Sequence, residues 1–78
     1  MTLVIPVTGR IVMVNAPAKY VVISLAPGLS PDKGTRLFSY RNSQKLGELR
    51  IAGPQQDDKV VADIVNGEAS IGDKVSDD

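Results

Sequence analysis

Four of the nine basic residues and two of the three aromatics fall within one stretch, "RLFSYRNSQKLGELRI", residues 36–51. Aromatic rings beside guanidinium and ammonium groups are what a protein interface buries, or what a single-stranded nucleic acid stacks on. In an extended chain successive side chains alternate between two faces. Arg36, Phe38 and Tyr40 therefore share one face, and Leu37, Ser39 and Arg41 the other. Burial alone turns Phe38 and Tyr40 inward, because a core this poor in aromatics needs their area. The opposite phase leaves them outside with Arg36, joined by Arg50. The candidate partner-binding residues are Arg36, Phe38, Tyr40, Arg41, Lys45 and Arg50.

Other chemistries are narrowed by what the chain lacks. There is no cysteine and no histidine, which removes disulfides, thiolate metal sites, Ser-His or Cys-His nucleophile pairs and the usual near-neutral acid–base group. "APGLSPDKGT" contains Lys-Gly-Thr, but the phosphate-loop spacing and its following helix are absent. Asp57, Asp58, Asp63, Glu68 and Asp73 lack calcium-loop spacing and read as solvated surface. No carboxylate pair is flanked by groups that would tune it for general acid–base work. The expectation is no catalytic residue, no metal ligand and no cofactor.

Charge is balanced overall but unevenly placed. Residues 1–50 carry seven basic side chains against Asp32 and Glu48, leaving +5, while residues 51–78 carry Lys59 and Lys74 against seven acids, leaving −5. A nucleic-acid binder usually presents an uncancelled basic surface; here the acidic half is expected to fold against the basic half. Seventy-eight residues, 42% hydrophobic and 23% charged, make one globular domain. A domain this small gains stability from self-association or docking. No run reaches the roughly 18 apolar residues of a membrane span, and no membrane insertion is expected.

The elements that must position these residues are strands. Short Val- and Ile-rich runs separated by Gly, Pro, Asn and Asp read as all-β. The runs are Leu3–Val7, Arg10–Val14, Tyr20–Leu25, Thr35–Arg41, Lys45–Ala52, Lys59–Val65 and Lys74–Ser76, with one short helical turn allowed at Ser30–Gly34. They predict a small, SH3-like, partly open barrel of five to seven strands over residues 1–78. Residues 1–8 form an N-terminal strand or arm and 76–78 a frayed tail.

Phase breaks refine this picture. Leu46 lies three residues before Leu49, which calls for a β-bulge at Gly47; Ile11 and Val14 show the same spacing. Gly34 and Gly72 each precede a strand and suit positive φ. The expected core is Ile11, Val14, Val21, Ile23, Leu37, Leu46, Leu49, Ile51, Val61 and Ile64.

Taken in order, Gly9-x-Ile11-x-x-Val14, Gly34-x-x-Leu37-x-x-Tyr40-Arg41, Leu46-Gly47-Glu48-Leu49, Ala62-Asp63-Ile64 and Gly72-Asp73-Lys74-Val75 resemble a small bacterial β-barrel domain. It is similar to the C-terminal domain of flagellar assembly protein T, a periplasmic structural protein. The resemblance implies Leu37 and position 39 inward, and a periplasmic or envelope location; without it the expected location is cytoplasmic. Ser39 stands where that pattern has Val, and Asn42-Ser43 replaces an Asn-Gly-like turn, making a tight type I′ turn less favourable. The functional expectation is a non-catalytic interaction or assembly module of a bacterial complex, binding a protein partner or itself. The alternative is a nucleic-acid-binding barrel that uses the basic hairpin 36–51.

Overall fold

A computed structural model describes residues 8–26, 28–53 and 55–77; the expected strand Leu3–Val7 lies outside them. Six strands form: β1 (Thr8–Asn15), β2 (Tyr20–Leu25), β3 (Arg36–Arg41), β4 (Gln44–Ile51), β5 (Lys59–Gly67) and β6 (Lys74–Ser76). Each pairs antiparallel on both sides, in the order β1-β2-β5-β4-β3-β6, with β6 returning to β1. The barrel is closed rather than partly open. Closure gives every strand a partner on both sides, with the short β6 bridging Thr8–Arg10 of β1 and Phe38–Tyr40 of β3.

No helix occurs among the described residues. Asp32–Thr35 form a turn instead, with the Thr35 amide donating to the Asp32 carbonyl at 3.1 Å. Gly34 and Gly72 have φ of 90° and 92°, as their positions before strands require. At the β3–β4 turn both Asn42 and Ser43 have positive φ, 53° and 65°. That is the type I′ signature, formed despite the missing glycine. Arg41 and Gln44 pair directly across it, so the strand twist dictates the turn. Ser76 is no frayed residue: it pairs with both Thr8 and Phe38, and Thr8 is already part of β1.

Three strands carry an extra residue that lets them bend around the barrel. Val12 is unpaired in β1, so Ile11 faces the core and Val14 packs against it, as their spacing predicts. In β4 the break falls at Leu46, between Lys45, which pairs with Tyr40, and Gly47, which pairs with Ser39. Val65 is the extra residue of β5. Val12 and Val65 are exposed for this reason rather than as a patch.

The core consists of Ile11, Val21, Ile23, Leu25, Leu37, Leu49, Ile51, Val60, Ala62 and Val75, with Val14, Leu29, Ile64 and Ala69 packed against it. Two expected core residues are corrected. Val61 faces outward, because β5 pairs Val60 with Ile23 and Ala62 with Val21, which turns the even-numbered residues inward. Leu46 is half-buried outside the core, since Gly47, not Leu46, follows the inward phase of Leu49 and Ile51. Ser39 is fully buried and its hydroxyl donates to the Glu68 carbonyl at 2.8 Å. That bond satisfies a polar group on the inner face, where an unpaired hydroxyl would be costly.

Candidate functional site

The barrel interior decides the fate of the hairpin aromatics. A six-stranded barrel is narrower than the eight-stranded kind that side chains just fill. Its inner face at β3 takes Leu37 and the small Ser39, the latter between Gly47 on β4 and Val75 on β6. Phe38 and Tyr40 are left on the outer face, each half-buried. All three aromatics of the chain lie outside the buried core.

Around them the cations are arranged by cross-strand register. Lys45 sits opposite Tyr40, and its ammonium lies 4.0 Å from the Phe38 ring centroid and 5.9 Å from that of Tyr40. Contacts of this kind at exposed sites contribute about 0.5–1 kcal/mol. Arg36, itself exposed, bridges the partly buried Glu48 at 3.2 Å, which orients the guanidinium and contributes little stability. Arg50 is exposed; its neighbours across the ladders are Arg36 on β3 and Asp63 on β5. Leu46, Phe38, Lys45, Gly47 and Glu48 line a shallow depression of about 280 Å³ on this face.

Arg41 stands apart from the other five sequence-derived site residues. It has the opposite strand phase and ends β3 by binding Asp73, with Nε to Oδ1 at 3.0 Å and an NH2 to Oδ2 at 3.2 Å. Glu68 lies 3.9 Å away. Asp73 is buried, not solvated surface as its sequence context suggests, and its Oδ2 also accepts the Ser70 amide at 2.8 Å. Burial works to raise the Asp73 pKa, but the Arg41 guanidinium and the Ser70 amide hold it below the ordinary carboxylate value. The same hydrogen bond raises the Arg41 pKa. Asp58, bound by Lys59 and by the Ser24 hydroxyl at 3.0 Å, is also held low.

The acidic half thus does meet the basic half, through Arg41 with Asp73 and Glu68 and through Arg50 beside Asp63. Sequence reasoning missed Leu46, because its apolar type pointed to the core. It also missed Arg10 and Lys74, which stand far from the hairpin in sequence. Arg10 pairs with Lys74, and Lys74 with Tyr40, so these side chains form one outer row across β1, β6 and β3. Nothing in the sequence short of strand register reveals that row.

Among the described residues no group of three or more acids is placed to hold a metal ion, and no helix is long and apolar enough to cross a membrane. Fold and surface together define a small, closed, antiparallel β-barrel domain with an aromatic–cation outer face. No family model, curated protein or solved structure matches this chain.

Proposed function

We propose that this barrel is a non-catalytic interaction module whose β3–β4 outer face binds a protein surface, either a second copy or a component of a larger bacterial assembly. The observation that supports it is the outward placement of Phe38 and Tyr40 beside Leu46 and Lys45. Half-buried rings flanked by basic side chains have the composition of interface hot spots. The resemblance to the C-terminal domain of flagellar assembly protein T points the same way, toward a structural role in the bacterial envelope.

The acids interleaved with this face weigh against the nucleic-acid alternative. Glu48 holds Arg36, Asp63 flanks Arg50 and Asp73 holds Arg41, whereas phosphate binding draws on uncancelled charge. The test is sedimentation at several protein concentrations, run beside a salt titration of binding to single-stranded DNA and RNA. Concentration-dependent association, insensitive to salt and lost in Phe38→Ser, is expected. Micromolar nucleic-acid affinity that collapses between about 50 and 200 mM salt would overturn the reading.

A further inference from the structure

At one end of the barrel, beside the aromatic face, lies an open groove of about 540 Å³. Arg10 of β1, Lys74 of β6, Tyr40 and Arg41 of β3, and Asn42 and Ser43 of the β3–β4 turn line it, with Gly72, Asp73 and Ser76 completing the wall. Its charge is set by which groups are already committed. Asp73 is the one carboxylate among the lining residues, and its oxygens are taken by Arg41 and the Ser70 amide. Arg41 is correspondingly neutralised. Arg10 touches only the Gly72 carbonyl, at the long distance of 3.5 Å. Neither Arg10 nor Lys74 has an acidic partner among the described residues.

The two cations are also held close together. They are direct cross-strand partners, about 5 Å apart at the backbone, and Lys74 pairs on its other side with Tyr40. The groove therefore offers two positive charges with no acidic partner among the described residues, and an aromatic wall, with the Asn42 amide and Ser43 hydroxyl as further donors. We propose that it binds a compact organic dianion, a phosphate- or dicarboxylate-bearing ligand, with Arg10 and Lys74 gripping the charge and Tyr40 packing against the carbon skeleton. An arginine and a lysine on neighbouring strands of one groove can each form a charge-assisted hydrogen bond to the same dianion. The groove shares Tyr40 with the neighbouring face, but its two charges, Arg10 and Lys74, lie on β1 and β6 outside that face.

The experiment is an amide-resolved NMR titration of the 15N-labelled chain with phenyl phosphate, and separately with succinate, at low ionic strength and again at about 0.15 M salt. Saturable shifts confined to Arg10, Tyr40–Ser43 and Gly72–Lys74 are expected for at least one of the two anions, and the tighter one identifies the ligand chemistry. Arg10→Gln with Lys74→Gln should weaken binding roughly tenfold or more, as loss of two charge contacts implies. Lys19→Gln with Lys33→Gln, outside the groove, should leave it unchanged. The titration also reports whether each variant stays folded, and the Lys74→Gln single variant serves should the double one unfold. Absence of a saturable response to either anion, shifts spread evenly over all basic residues, or equal loss in both double variants would overturn the proposal.

Discussion

A facing glycine pair packs β4 closely on β5, and it makes a sharp test of the packing. Gly47 on β4 faces Gly67 on β5. A Cβ added at Gly47 would sit 2.6 Å from the Glu68 carbonyl, 2.8 Å from the Asn66 carbonyl and 2.9 Å from the Glu68 nitrogen. All three are backbone atoms, so no side chain can swing aside and the backbone at the end of β5 and just beyond it must move. Forcing extra volume into packed structure costs about 1–3 kcal/mol. Alanine also restricts the unfolded chain, which returns about 0.4–1 kcal/mol. Gly47→Ala should therefore destabilise by about 1–2 kcal/mol net, and a urea midpoint should fall by about 1–2 M at the slope typical of a small domain.

Gly53→Ala is the matched control. Its nearest neighbour would be the Val61 Cβ at 3.6 Å, an ordinary contact, so only the unfolded-state gain remains and stability should hold or rise by up to about 1 kcal/mol. Equilibrium urea unfolding, followed by far-ultraviolet circular dichroism, measures both. A Gly47→Ala midpoint equal to wild type, with the slope unchanged, would refute the close packing of β4 on β5. Because Gly47 adjoins the Leu46 bulge, Gly47→Ala should also disturb the amide shifts of Lys45 and Phe38, whereas Gly53→Ala should not.

Further outcomes follow from other parts of the barrel. Leu49 is fully buried, and Leu49→Ala should lose on the order of 2–5 kcal/mol; a folded variant with an unchanged midpoint would contradict the strand phase. Asp73 has a lowered pKa, so its contribution is fully present above the ordinary carboxylate value of 3.8 and is lost as pH falls through its lower folded value. The stability gap between wild type and Asp73→Asn should accordingly be constant from about pH 5 to 7 and close below about pH 4; a gap that widens on acidification would show the opposite sign. Lys45→Gln should weaken association through the β3–β4 face less than Phe38→Ser does, because a ring in an interface contributes more than an exposed charge. Comparison by sedimentation decides it, and the reverse order would assign recognition to charge.

Much of the architecture is written in local chemistry. Alternating Val and Ile runs between turn residues place all six strands within a residue or two at each end, because pleat and turn preferences act over a few neighbours. The Ile11–Val14 spacing likewise marks the β1 bulge, and Gly34 and Gly72 mark positive φ. Where neighbours are equally apolar, local chemistry has no parity to offer. Val60 and Val61 are interchangeable in sequence, and only pairing with Ile23 and Val22 on β2 turns Val60 inward. The same holds for Leu46, whose apolar type points to the core while the bulge carries it out.

The candidate sites divide along the same line. The sequence determines that an aromatic–basic hairpin exists, since Arg36 to Arg50 are adjacent along the chain. Which face it presents is a tertiary decision: the closed barrel leaves room beside Gly47 and Val75 for Ser39 and none for a ring. Whether its charges are free is tertiary too. Asp73 reaches Arg41 across 32 residues and neutralises one cation of the surface. Arg10 and Lys74, 64 positions apart, become neighbours only when β6 pairs with β1 and closes the barrel. Register depends on hydrogen bonds between distant strands, and no single stretch of sequence contains both partners.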